Sequence, residues 1–114
     1  MSDGRSSKGY IPNVNPQYKN LQMTDYAALR LRGLPFTSKP EDIITFFKDY
    51  DFYQDSVKIG RNQDFTKTGE GSLLFKDEQE CKRAFREKQG QNISHRWIEL
   101  YQITLADYLN FEQR

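Results

Sequence analysis

The chain has 114 residues, enough for one domain with appendages. Apolar residues make up 36% and the formal net charge is +1, so the core is small and any field that attracts nucleic acid is local. One Cys and one His exclude an intramolecular disulfide framework and a Cys/His zinc site, no cofactor is expected, and no apolar run nears the ~18 residues of a membrane span.

Residues 1–25 are rich in Ser, Gly, Asn, Gln and Pro. They bury too little apolar area to offset chain entropy and are expected to form a flexible tail or linker. Tyr10, Ile11, Val14 and Tyr18 are spaced anchors through which part of it could dock. The opening M-S-D-G-R-S-S-K-G carries no hydrophobic signal core. A folded domain is expected over residues 26–112.

Residues 27–32, A-A-L-R-L-R, alternate from Ala28 on, with Leu29 and Leu31 facing one way and Arg30 and Arg32 the other. This half-buried strand ends at G-L-P. The following S-K-P-E predicts a capping box, Ser38 as N-cap and Glu41 three residues on. The helix it opens carries Ile43, Phe46 and Phe47 at helical spacing, and Ile44 widens the stripe. S-V-K-I-G at 56–60 predicts a second strand and R-N-Q-D-F-T-K-T-G a polar loop. E-G-S-L-L-F-K at 70–76 predicts a third strand. Asp77 and Glu80 repeat the capping pattern before a helix with Cys81, Ala84 and Phe85 on its apolar face, stopped at Gly90. Residues 96–103 alternate once more, with Ile98 and Leu100 on one side. Thr104 and Asp107 cap a short helix reaching Phe111.

The order βαββαβ plus a terminal helix predicts an α+β, ferredoxin-like sandwich. Its four-stranded antiparallel sheet carries two helices on one face. The other face is left open or is partly covered by the tail or the last helix. Arg30, Arg32, Glu70, Ser72, Trp97 and Glu99 are expected on that face. With the first strand between the third and fourth, Arg30 gains Glu70 and Glu99 as neighbours across the ladder, each such pairing stabilising by roughly 0.2–1 kcal/mol. T-G-E-G-S-L-L-F at 68–75 departs from the RNA-binding octamer K/R-G-F/Y-G/A-F-V-x-F/Y, because the two stacking positions hold Glu70 and Ser72. A charge-paired face without those aromatics is a poor platform for bases.

L-R-G-L-P-F at 31–36, T-G-E-G at 68–71 and H-R-W-I-E-L-Y at 95–101 together resemble the quasi-RNA recognition motifs of the heterogeneous nuclear ribonucleoprotein H/F family. Similar domains occur in the G-rich sequence factor and the epithelial splicing regulatory proteins. The resemblance covers roughly residues 27–111. It implies a domain of a ribonucleoprotein in RNA processing or splicing, located in the nucleus with or without a cytoplasmic share. It also implies that guanine-rich single-stranded RNA is gripped by three loops at one edge rather than by the sheet. The implied contacts fall on Arg32, Phe36, Arg96 and Trp97, with the loop from Arg61 to Lys67 as third element. Phe stands where the family often has Trp, and Trp97 where it usually has Tyr; both stay aromatic.

The chemistry suits purines. Aromatic rings stack on unstacked bases, and Arg donates two bonds to guanine O6 and N7 or clamps a phosphate. Each residue also has a plainer use: Phe36 as a staple for the first helix, Trp97 as cover for the last helix, Arg32 as a ladder partner. The domain is expected to be monomeric; a rival reading is a protein-interaction module in a ribonucleoprotein complex, using the phenylalanine-rich first helix and F-K-D-Y-D-F-Y at 47–53. An enzyme is not expected, since the sole His95 sits in a motif with a better explanation and no paired carboxylates flank an obvious pocket.

Overall fold

Alternation of Leu29 and Leu31 with Arg30 and Arg32 does produce a strand, β1 (Ala28–Arg32), whose leucines are fully buried. In the computed structural model Tyr18 and residues 20–111 are described, so Tyr10, Ile11, Val14 and most of the expected tail lie outside the described residues. The remaining elements are α1 (Pro40–Phe46), a short 3-10 turn (Gln54–Ser56), β2 (Lys58–Arg61), β3 (Lys67–Leu74), α2 (Glu78–Lys88), β4 (Asn92–Ile93), β5 (Arg96–Trp97), β6 (Glu99–Ile103) and α3 (Leu105–Leu109). A four-stranded antiparallel sheet runs in the order β2-β3-β1-β6, which is the expected α+β ferredoxin-like sandwich. Leu29, Leu31 and Leu73 face α1 and α2, where Phe47 meets Phe75 edge-on at 5.5 Å and Cys81 and Ala84 complete the packing. Each leucine or phenylalanine side chain so taken from water contributes roughly 1.5–3 kcal/mol.

The third strand runs over Lys67–Leu74 rather than 70–76, and three further local expectations shift. The cap of α1 is Lys39, not Ser38, and Asp42 rather than Glu41 closes it by accepting the Lys39 amide at 2.9 Å. Pro40 explains the slip, because proline is pre-set for the first helical position and forces an extended residue before it. The second strand starts two residues late because Ser56 ends the 3-10 turn, where its buried hydroxyl accepts the Leu74 amide at 2.9 Å. The expected strand over 96–103 is broken. Residues Glu99–Ile103 pair with β1, while Arg96 and Trp97 pair instead with Ile93 and Asn92 in a hairpin. The cause is Gly33, whose φ of +95° turns the chain away after Arg32 and leaves residues before Glu99 without a β1 partner.

The second sheet face is partly covered. Ala28 and Leu74 point to it and form a second apolar cluster with Tyr18, Leu105 and Tyr108. Helix α3 is capped as expected, Thr104 Oγ1 accepting the Asp107 amide at 3.1 Å. Lys58 fixes the helix across β2: its ammonium donates to the Tyr108 carbonyl at 2.7 Å and stands 3.9 Å from that ring's centre. Burial lowers the Lys58 pKa. The segment before β1 binds α3 as well, with the Leu105 and Ala106 amides donating to Asp25 and Met23 carbonyls at 2.9 and 3.0 Å.

Candidate nucleic-acid interface

The face beneath α3 offers little to a base. Ser72 is fully buried, and its hydroxyl donates to the Leu29 carbonyl at 2.9 Å. Arg30 forms a fork with Glu70 through bonds of 3.0 and 2.9 Å, which raises the guanidinium pKa. The expected second partner, Glu99, lies across from Arg32 instead, and Arg30 faces Tyr101. Among the described residues Glu99 makes no ion pair. Tyr101, 36% exposed, is a ring on this face that sequence reasoning did not single out.

At the edge where β1 ends, the turn after it meets the start of β3 and the β4–β5 hairpin through backbone. The amides of Gly33 and Leu34 both donate to the Gly69 carbonyl, at 3.0 and 2.9 Å, tying the β1–α1 loop to the start of β3, just past the β2–β3 loop. A Cβ added to Gly33 would stand 2.7 Å from the Trp97 carbonyl oxygen, so the β4–β5 hairpin abuts the same turn. The sequence R-G-L-P thus supplies a residue that permits both the turn and the close approach.

Each expected site residue has a definite place in this arrangement. Arg32 is exposed at the end of β1 and, among the described residues, forms no ion pair. Phe36 is 65% exposed, its ring near Gly69, so it does not staple α1 to the sheet. Trp97 is 58% exposed and leaves the sheet face where it was expected. Its indole lies against Gly90 just past α2, where an added Cβ would come within 3.0 Å of Nε1, and not beneath α3. Arg96 is exposed beside it, in a hairpin whose tight turn carries Ser94 at φ +58° and His95. The rings of Phe36 and Trp97 do not touch: among the described residues neither forms a ring pair.

Arg61 and Lys67 turn inward from the loop. The Arg61 guanidinium donates to the Phe65 carbonyl at 3.1 Å and the Lys67 ammonium to the Ser38 carbonyl at 2.6 Å. With Lys39 they line a cleft of about 430 Å³ between β2 and the start of α1. Ser38 lies buried at its wall with its hydroxyl unpartnered. The loop's exposed ring is Phe65, which the polar character of the stretch conceals in the sequence. The aromatics offered as a peptide surface are used internally: Phe52 bridges to Phe75, and Tyr53 packs on Tyr18 at 4.6 Å.

Comparison with known proteins agrees with this architecture. A family model described as an RRM domain matches residues 29–111. RNA-binding protein 12 of Homo sapiens is 37% identical over 74 residues, which is 65% of this chain but 8% of that protein. Heterogeneous nuclear ribonucleoprotein H of Homo sapiens is 29% identical over 79 residues, 69% of this chain and 17% of that protein. The chain therefore spans a small fraction of the length of these relatives. Among solved structures, the G-rich RNA sequence binding factor 1 (GRSF1) of Homo sapiens matches with a TM-score of 0.64 at 26% identity, over 71% of this chain and 83% of that one. The Glorund qRRM3 domain matches with a TM-score of 0.61 at 26% identity, over 68% and 94%. With the shared fold, the family match and the loop motifs in agreement, the chain belongs to the RRM domain family, and within it to the quasi-RRM type of hnRNP H and GRSF1.

Proposed function

We propose that this chain binds single-stranded RNA, with a preference for guanine-rich stretches, through the loops at the end of β1 rather than through the sheet. The observation that carries this reading is a contrast in exposure. Phe36 and Trp97 present 65% and 58% of their surface, whereas Ser72, at the centre of the sheet face, presents none. Phe36 and Trp97 supply stacking planes. Arg32 and Arg96, both exposed, supply planar forks for guanine edges or phosphates. Arg61 and Lys67 lend positive charge from the cleft behind the third loop. Two similar proteins support the choice of ligand class, one named as a G-rich RNA sequence binding factor and the other as an RNA-binding protein. The relative named as a heterogeneous nuclear ribonucleoprotein supports a role in RNA processing in the nucleus.

Competition binding tests the reading. A labelled G-run RNA bound to the chain is challenged with unlabelled G-run, U-run and duplex RNA. The expected order of competition is G-run, then U-run, then duplex. Equal competition by all three that fades uniformly with added salt would reduce the interaction to phosphate attraction.

A further inference from the structure

We propose that Phe65, at the apex of the β2–β3 loop, is a further base-stacking residue, taking a nucleobase of the bound RNA on its ring; this rests on the RNA-binding reading above. Its φ is +69°, in the left-handed region that a bulky side chain seldom occupies and that glycine enters freely. The ring does not offset that cost by burial, since it is 66% exposed. A strained residue with an unburied ring has no visible use within the fold.

The loop nevertheless holds it firmly. The Phe65 amide donates to the Asn62 carbonyl at 2.9 Å, and the Asn62 amide to the Thr66 carbonyl at 2.8 Å. The Asn62 carboxamide donates to Thr66 Oγ1 at 3.0 Å. Asp64, the loop's one carboxylate, accepts from the Thr66 amide and hydroxyl at 3.1 and 2.6 Å and so spends its charge within the loop. Arg61 holds the Phe65 carbonyl. A ring presented on a braced turn loses little freedom on binding, which favours a stacking role.

The charge beside it selects the ligand. Arg61, which holds the Phe65 carbonyl, lines a cleft with Lys67 and Lys39, and among the described residues none of the three is in an ion pair. A flat π surface on a loop flanked by the unneutralised Arg61 and Lys67 matches a nucleotide, base on the ring and phosphate toward the cations. A purely apolar partner would leave that charge uncompensated.

Two variants and one probe test this. The probe is a short G-run RNA with one guanine replaced by fluorescent 2-aminopurine. Phe65→Gly removes the ring while suiting the backbone, and Phe65→Trp keeps a stacking plane. Phe65→Gly should melt no lower than the parent yet bind about 5- to 100-fold more weakly, with quenching lost at one probe position. Phe65→Trp should bind within about threefold of the parent. Parent-like binding by Phe65→Gly, with binding still weakened by Phe36→Ala, would overturn the role of Phe65 and leave the loop reading standing. A fall of more than about 5 °C in melting temperature for Phe65→Gly would assign the ring to the fold instead. Failure of the parent to bind would overturn both.

Discussion

Gly33 and Trp97 meet backbone to backbone, and no side chain fits between them: a Cβ on Gly33 would stand 2.7 Å from the Trp97 carbonyl oxygen. This one approach joins the loop carrying Phe36 to the hairpin carrying Arg96 and Trp97. Gly33→Ala meets both that oxygen and a φ of +95°. The left-handed conformation alone costs roughly 1–2 kcal/mol, so a loss of about 2 kcal/mol or more is expected. In a domain of this size that corresponds to on the order of 8 °C or more in thermal melting. A melting temperature within about a degree of the parent would mean that the hairpin does not sit on the turn.

Ser72→Ala separates sheet from loops. The hydroxyl is buried and donates to Leu29, so its removal should cost about 1 kcal/mol of stability. RNA affinity should stay within about twofold, because the position offers no stacking surface. A tenfold loss of affinity in a folded Ser72→Ala protein would return the binding site to the sheet.

Phe36, Arg96 and Trp97 should behave in the opposite way. All three are exposed, so Phe36→Ala and Arg96→Lys should leave the melting temperature nearly unchanged. Trp97→Ala should lower it slightly through the lost contact with Gly90. Each aromatic truncation should cost roughly 1–3 kcal/mol of RNA binding. Arg96→Lys should also weaken binding, since an ammonium cannot reproduce the planar fork. Calorimetry on each variant, with its amide spectrum as a folding control, reads both quantities. Wild-type affinity in folded Phe36→Ala and Trp97→Ala proteins would move the site elsewhere.

Cys81 should be inert in the native state. It is buried at the α2–β1 contact, its thiol donates to the Ala28 carbonyl at 3.3 Å, and burial pushes its pKa up to about 12. Raised above the ordinary thiol value, it stays protonated across the physiological range, and thiolate is the reactive form. Iodoacetamide at mildly alkaline pH should therefore modify it only at the rate at which the domain opens. Rapid alkylation of the folded protein would contradict the packing of α2 on β1.

Much of this fold is legible in the sequence, for identifiable reasons. Period-two alternation marks β1 because one face is leucine and the other arginine. Asp77 and Thr104 mark helix starts because each side chain accepts an amide three residues on. What escapes depends on long-range geometry. Alternation through 96–103 shows no break, because the interruption comes from where β1 turns at Gly33, far away in sequence. The inward turn of Lys67 depends on the Ser38 carbonyl, 29 residues distant. Phe65 stands out only when its positive φ is seen with its exposure. Its one signal in the sequence is an aromatic within N-Q-D-F-T-K, where a polar turn has no need of one.

RNA that lies along the loops leaves the sheet face untouched, and an NMR titration of the labelled chain distinguishes the two surfaces residue by residue. The titrant is a short G-run RNA, with a U-run RNA as control. G-run-specific shifts are expected at Arg32, Phe36, Phe65, Arg96 and Trp97, with Arg30, Ser72 and Tyr101 silent. Shifts centred on Arg30, Ser72 and Tyr101, or the same response to both RNAs, would contradict binding through the loops.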